Sequence, residues 1–114
     1  MSSFDVTSTW QELEKTTGAA KDLAISGRVL LHSAFPVCLG DLGDERSITF
    51  HNGTSGSDPQ LFEFNQTLAA WGPQIVGPIL PDNGILFDSG LFVASGNDAS
   101  NQYWGMITVL YSLG

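Results

Sequence analysis

One cysteine, four basic residues and no long apolar run make this a sequence of scarcities, and each closes a class of explanation. A single thiol, Cys38, cannot form an internal bridge, so no disulfide framework is available and the redox compartment stays open. Cys38 reads instead as a small buried apolar residue. Four Lys and Arg against twelve Asp and Glu leave a net charge of -8. That is the wrong sign for collecting phosphates, so no direct nucleic-acid partner is expected. Charged residues are 14% of the chain, well below the roughly 25% of ordinary soluble domains, which points to a surface covered by neighbours. No stretch approaches the roughly 20 apolar residues of a membrane span. Met1 to Asp5 has neither a basic leader nor an apolar h-region. A soluble chain with no membrane partner is expected.

What the sequence does contain is strand and turn chemistry. A chain of 114 residues suits one domain, which at this size buries roughly two thirds of its unfolded surface. Gly84 to Ala94 and Trp104 to Leu110 are apolar runs rich in β-branched and aromatic residues, separated by the polar stretch Ser95 to Gln102, and within the first run Asp88-Ser89-Gly90 makes a turn or bulge before Leu91. Leu23 to Phe35 predicts one long strand kinked at Gly27, with Pro36 limiting its continuation. Arg46 to His51 and Gln60 to Asn65 predict a hairpin, since Asn52-Gly53 tolerates the positive φ that tight turns require. Gly72-Pro73, Gly77-Pro78 and Pro81 interrupt Gln66 to Pro81 and leave room for one edge strand among irregular chain. Residues 1–22 are read as an N-terminal arm or edge strand with a short strand around Phe4 and Val6, and residues 23–114 as the folded domain.

Six to eight short strands with little helix predict an all-β fold, an antiparallel β-sandwich of jelly-roll type with an extended N-terminal arm; a small closed barrel is the second choice. The last strand carries Ile107, Val109 and Tyr111 on one face and Met106 and Leu110 with Thr108 on the other. Two apolar faces imply cover on both sides.

The succession Gly84-Ile85-Leu86-Phe87-Asp88-Ser89-Gly90-Leu91-Phe92-Val93, a Gly/Asn/Asp loop, and Ile107-Thr108-Val109-Leu110-Tyr111 resembles small β-sandwich structural proteins of tailed bacteriophages. His51 to Gly56 followed by Leu61-Phe62-Glu63-Phe64 extends the resemblance, which covers roughly residues 24 to 112. It implies a virion component, above all a capsid decoration or cement protein on the major capsid protein lattice, often trimeric. Neck, head-fibre and tail-associated proteins are similar in outline. The resemblance transfers no catalytic residue. Phe4, Val6 and Trp10 in the arm, with Ile107, Val109 and Tyr111, are the expected subunit contacts, and Val109→Asp is expected to disrupt oligomerisation or folding.

Other chemistry finds less support. His32, His51 and Cys38 match no zinc spacing, although the two histidine strands are expected to be able to pair. No serine sits in an elbow motif and no Gly-rich loop carries a P-loop lysine, so neither an enzyme nor a cofactor is expected. Asp41, Asp44, Glu45, Asp82, Asp88 and Asp98 are hard oxygen donors without the spacing of a calcium loop, and turn aspartates ordinarily cap backbone groups. Asn52-Gly53-Thr54 and Asn65-Gln66-Thr67 match the glycosylation sequon but follow no secretory signal. Trp10, Trp71, Tyr103 and Trp104 suit a core or subunit interface, with a carbohydrate-binding module as the alternative.

Overall fold

Alternating burial organises the chain into strands that each bury one face. The computed structural model describes residues 5–14, 21–38, 45–67, 74–81, 83–95 and 103–114. Its strands are β1 (Thr7–Glu14), β2 (Leu23–Ile25), β3 (Val29–Cys38), β4 (Glu45–Asn52), β5 (Gln60–Thr67), β6 (Gln74–Ile75), β7 (Ile85–Phe87), β8 (Leu91–Ser95) and β9 (Tyr103–Leu113). Among the described residues there is no helix.

Two antiparallel sheets result. The first runs β1-β9-β3, with β6 and β7 sharing the far edge of β3: β7 pairs Val29 to Leu31, and β6 pairs Val37 and Cys38. The second runs β2-β8-β4-β5. Between the sheets lie Leu13, Val29, Leu31, Ala34, Cys38, Phe87, Ile107 and Val109 from the first and Leu23, Ile48, Phe50, Leu91 and Val93 from the second. Burying each large side chain here contributes roughly 1.5–3 kcal/mol. Phe50 and Phe62 meet edge to face with centroids 5.5 Å apart.

The expected hairpin is present, with Arg46 opposite Gln66 and Phe50 opposite Phe62 across the β4–β5 ladder. Leu23 to Phe35 differs from expectation. It is two strands in different sheets, because the chain crosses between them at Gly27, whose φ of 93° lies in the left-handed region. The turn expected at Asp88-Ser89-Gly90 is present and separates β7 from β8, and it also carries the chain from the first sheet to the second.

Pro36 does not end its strand, and β3 continues to Cys38. An extended residue points its N–H and C=O to the same side, and the Pro36 carbonyl accepts from the Val76 N–H at 3.3 Å. The missing donor therefore faces the short β6 edge, and the ladder with β9 loses nothing. The first 22 residues contribute an edge strand: β1 pairs with β9 from Thr7↔Tyr111 through Glu14↔Tyr103.

His32 is an extra residue in β3, where Leu31 pairs with Tyr111 and Ser33 with Leu110. This bulge resets the two-residue alternation, so that Leu31 and Ala34 both point inward. Gly105, at φ 138°, faces the Val37 carbonyl so closely that a Cβ would collide with it.

A polar clasp joins the β4–β5 turn to the β7–β8 crossing. The Asn52 amide donates to Asp88 Oδ1 and accepts from the Ser89 N–H, both at 2.9 Å, while the Gly53 N–H donates to the Gly90 carbonyl at 2.9 Å. The Asn52 side chain, and after it the Ser89 hydroxyl, hold the Asp88 carboxyl below its ordinary range.

Two outcomes follow from these contacts. Gly105→Ala should cost more than about 2 kcal/mol in urea unfolding, whereas Gly77→Ala, with nothing within 4 Å of the added carbon, should be near neutral. A carboxyl depressed in the fold stabilises above its unfolded pKa and loses that contribution as pH falls through the folded value. Urea midpoints of Asp88→Asn should therefore fall less steeply than those of the wild type on acidification below about pH 4.

Candidate assembly face

The outer face of the first sheet is built by residues that alternate with the core. Across the ladders, Trp10 stands opposite Thr108 and Thr108 opposite Phe35; Glu12 pairs with Met106 and Met106 with Val37; Ser8 pairs with Leu110 and Leu110 with Ser33. Leu30 pairs with Leu86 at the β7 edge. These positions face away from Ile107, Val109 and Ala34, which are fully buried. Glu12 is the acidic residue of this face among those described, and its carboxylate meets Lys21 Nζ at 3.7 Å.

Four of the five most exposed large apolar residues lie on or beside this sheet: Trp10 at 59%, Leu86 at 44%, Leu113 at 62%, and Val6, just ahead of β1, at 54%. Leu113 pairs with the inward Val29, whereas Trp10 and Leu86 stand on the outward side with Val6 ahead of β1; apolar residues gathered this way make the face a candidate interaction surface, since singly scattered ones need no explanation.

The opposite outer face is different. Thr49, His51, Glu63 and Asn65 alternate there with the inward Ile48, Phe50, Phe62 and Phe64. Its own hairpin loop folds back on it. His51 Nδ1 donates to the Asp58 carbonyl at 2.9 Å, which leaves Nε2 to accept from the Thr49 hydroxyl at 2.9 Å. The His51 ring also meets Phe92 edge to face at 5.9 Å.

His32 and His51 do not share a sheet, so the expected pairing of their strands is not found. β3 belongs to the first sheet and β4 to the second, while Cys38 lies in the core between them. Among the described residues no three His, Cys, Asp or Glu converge as metal ligands. Asp41, Asp44, Asp82 and Asp98 lie outside the described residues. Asp88 serves the Asn52 clasp.

His32 has a different partner. Ser112 Oγ donates to the Asp5 carbonyl at 2.6 Å, so His32 Nε2–H donates to Ser112 Oγ at 2.7 Å. This relay ties the residue ahead of β1 across the end of the sheet.

Of the six expected contact residues, Phe4 lies outside the described residues, and Val6 and Trp10 are exposed. Ile107 and Val109 require correction. Both are 0% exposed inside this chain's own core, so they are not available to a neighbour, and Val109→Asp would place its charge between the sheets rather than on an outer face. Tyr111 is partly buried and packs against the same core. The outward residues of β9 are Met106, Thr108 and Leu110, and they share the face with Phe35, Val37 and Leu86, which the sequence reading passed over.

Compared with known proteins, the chain matches no family model, no curated protein and no solved structure.

The relay gives a direct test. Ser112→Ala removes one hydrogen-bonding link at each side and should cost about 1 kcal/mol, with amide exchange accelerated at Val6 and Thr7 and unchanged in β4.

Proposed function

We propose that this chain is a non-enzymatic structural protein of a tailed-bacteriophage virion, a capsid decoration or cement protein that binds the major capsid protein lattice and stabilises the head. The observation that carries this reading is the first sheet's outer face, apolar along β9, β3 and β7 with Glu12 as the one carboxylate placed on it among the described residues. In a chain of net charge -8, a face almost cleared of carboxylates permits close approach of another acidic surface, including a second copy, without like-charge repulsion. Repeated over a symmetric lattice, modest apolar contacts of this kind resist expansion through multivalency rather than through one tight site.

The strand orders β1-β9-β3-β6 and β2-β8-β4-β5, with the chain passing repeatedly between sheets, support reading the sandwich as a jelly roll. In that reading the segment ahead of β1 is the N-terminal arm, the oligomer is a trimer and the location is the capsid surface. Neck, head-fibre and tail positions draw on the same face.

Leu86→Asp tests the reading, because Leu86 is exposed and outside the core. The variant should keep the wild-type circular dichroism and melting temperature while losing at least about tenfold in self-association and in binding to undecorated capsids. Sedimentation and capsid-binding profiles identical to wild type would overturn it.

A further inference from the structure

At one end of the assembly face, Leu30, Leu86 and Leu113 wall a cleft of about 250 Å³ completed by Arg28, Ser112 and Gly114. The Gly114 N–H donates to the Arg28 carbonyl at 3.0 Å, which fixes the backbone at this end while the Arg28 side chain remains exposed. Ser112 Oγ is already engaged with His32 and Asp5. Arg28 is therefore the one charged side chain lining the cleft.

Twelve acidic residues surround four basic ones in this chain, yet no carboxylate oxygen of the described residues lies within 4.0 Å of the Arg28 guanidinium. Asp88 is close enough for Arg28 to contribute the smallest of the influences that depress its pKa, but its oxygen is held by Asn52. An apolar cavity with an unpaired guanidinium at its lip is complementary to an apolar group carrying a carboxylate. Guanidinium suits that carboxylate particularly well, since it offers two parallel donors.

We infer that this cleft is a docking site for a peptide segment of a partner subunit, one that inserts a single large apolar side chain between Leu30, Leu86 and Leu113 and lays an adjacent carboxylate on Arg28. The cleft's size favours that occupant. Pockets for whole small molecules run to roughly 300–1,000 Å³, and this one is smaller, the scale of a side chain. The inference rests on the assembly reading for why a partner segment reaches this face, but its chemistry is testable without capsids.

The test is an NMR titration of the ¹⁵N-labelled full chain with N-acetyl-leucine as the probe, against N-acetyl-leucinamide and octanoate. N-acetyl-leucine should shift Leu30, Leu86, Leu113 and the Arg28 Nε–H saturably, in the range of about 1 mM or weaker. The uncharged amide should bind about three- to tenfold more weakly. Arg28→Gln should erase that preference, and Arg28→Lys should keep part of it; the second variant decides if the first does not fold. Absence of shifts at the cleft, equal binding of acid and amide, or tighter binding of octanoate, which would mark a lipid site, would each overturn the inference. Capsid binding that survives Leu86→Asp counts against the assembly reading and, because Leu86 walls the cleft, against a partner segment as its occupant; acid-selective binding at the cleft of a chain that adds to no capsid counts against the assembly reading alone, and a silent cleft beside intact assembly counts against the cleft alone.

Discussion

The pairing of β3 with β9 is the constraint on which the rest of the sandwich depends. These are the two longest strands, and every other strand of the first sheet attaches to one of them: β1 to the free side of β9, β6 and β7 to the free side of β3. Their register works only because His32 adds one residue to β3 and Gly105 lets β9 approach the Val37 carbonyl. Without the bulge, a residue slip would turn Ala34, Pro36 and Cys38 outward and bring their polar or bulky neighbours into the core. A local irregularity thus sets which side of ten residues becomes interior.

That choice produces the sandwich's asymmetry. Both sheets bury one apolar face against the other, but their outer faces differ in chemistry. The second sheet shows Thr49, Glu63 and Asn65 beside the exposed Leu61 and carries a hairpin loop pinned by His51. The first shows Trp10, Phe35, Val37, Met106, Leu110 and Leu86, a composition that in an isolated monomer leaves apolar area in water. The core between the sheets is complete without this face, and the proposed assembly role is what would take its apolar area out of water.

The titratable groups that a sequence reader weighs first turn out to be structural. His32 bridges β3 to β9 and the residue ahead of β1 through Ser112, while His51 holds a loop against its own strand. Asp88 anchors the crossing between the sheets through Asn52. Each fulfils a local hydrogen-bonding need created by an irregular stretch of backbone, and His32 and His51 lie in different sheets.

Much of the secondary structure was legible in the sequence because it rests on local chemistry. Asn52-Gly53 marked the hairpin, β-branched and aromatic runs marked β3, β8 and β9, and a short strand, β6, falls in the proline-broken stretch expected to hold one. The sequence also determined that β9 is apolar on both faces. Which face is interior was not legible, since a period of two labels faces without assigning them a side; Ile107 and Val109 went to the core and Met106 and Leu110 outward. The crossing at Gly27 was hidden, and at Asp88-Ser89-Gly90 the turn was legible but not the change of sheet, because a kink or turn and a passage between sheets use the same residues. Only the tertiary structure decided them, through long-range pairing that commits each strand to a sheet and each side chain to a side.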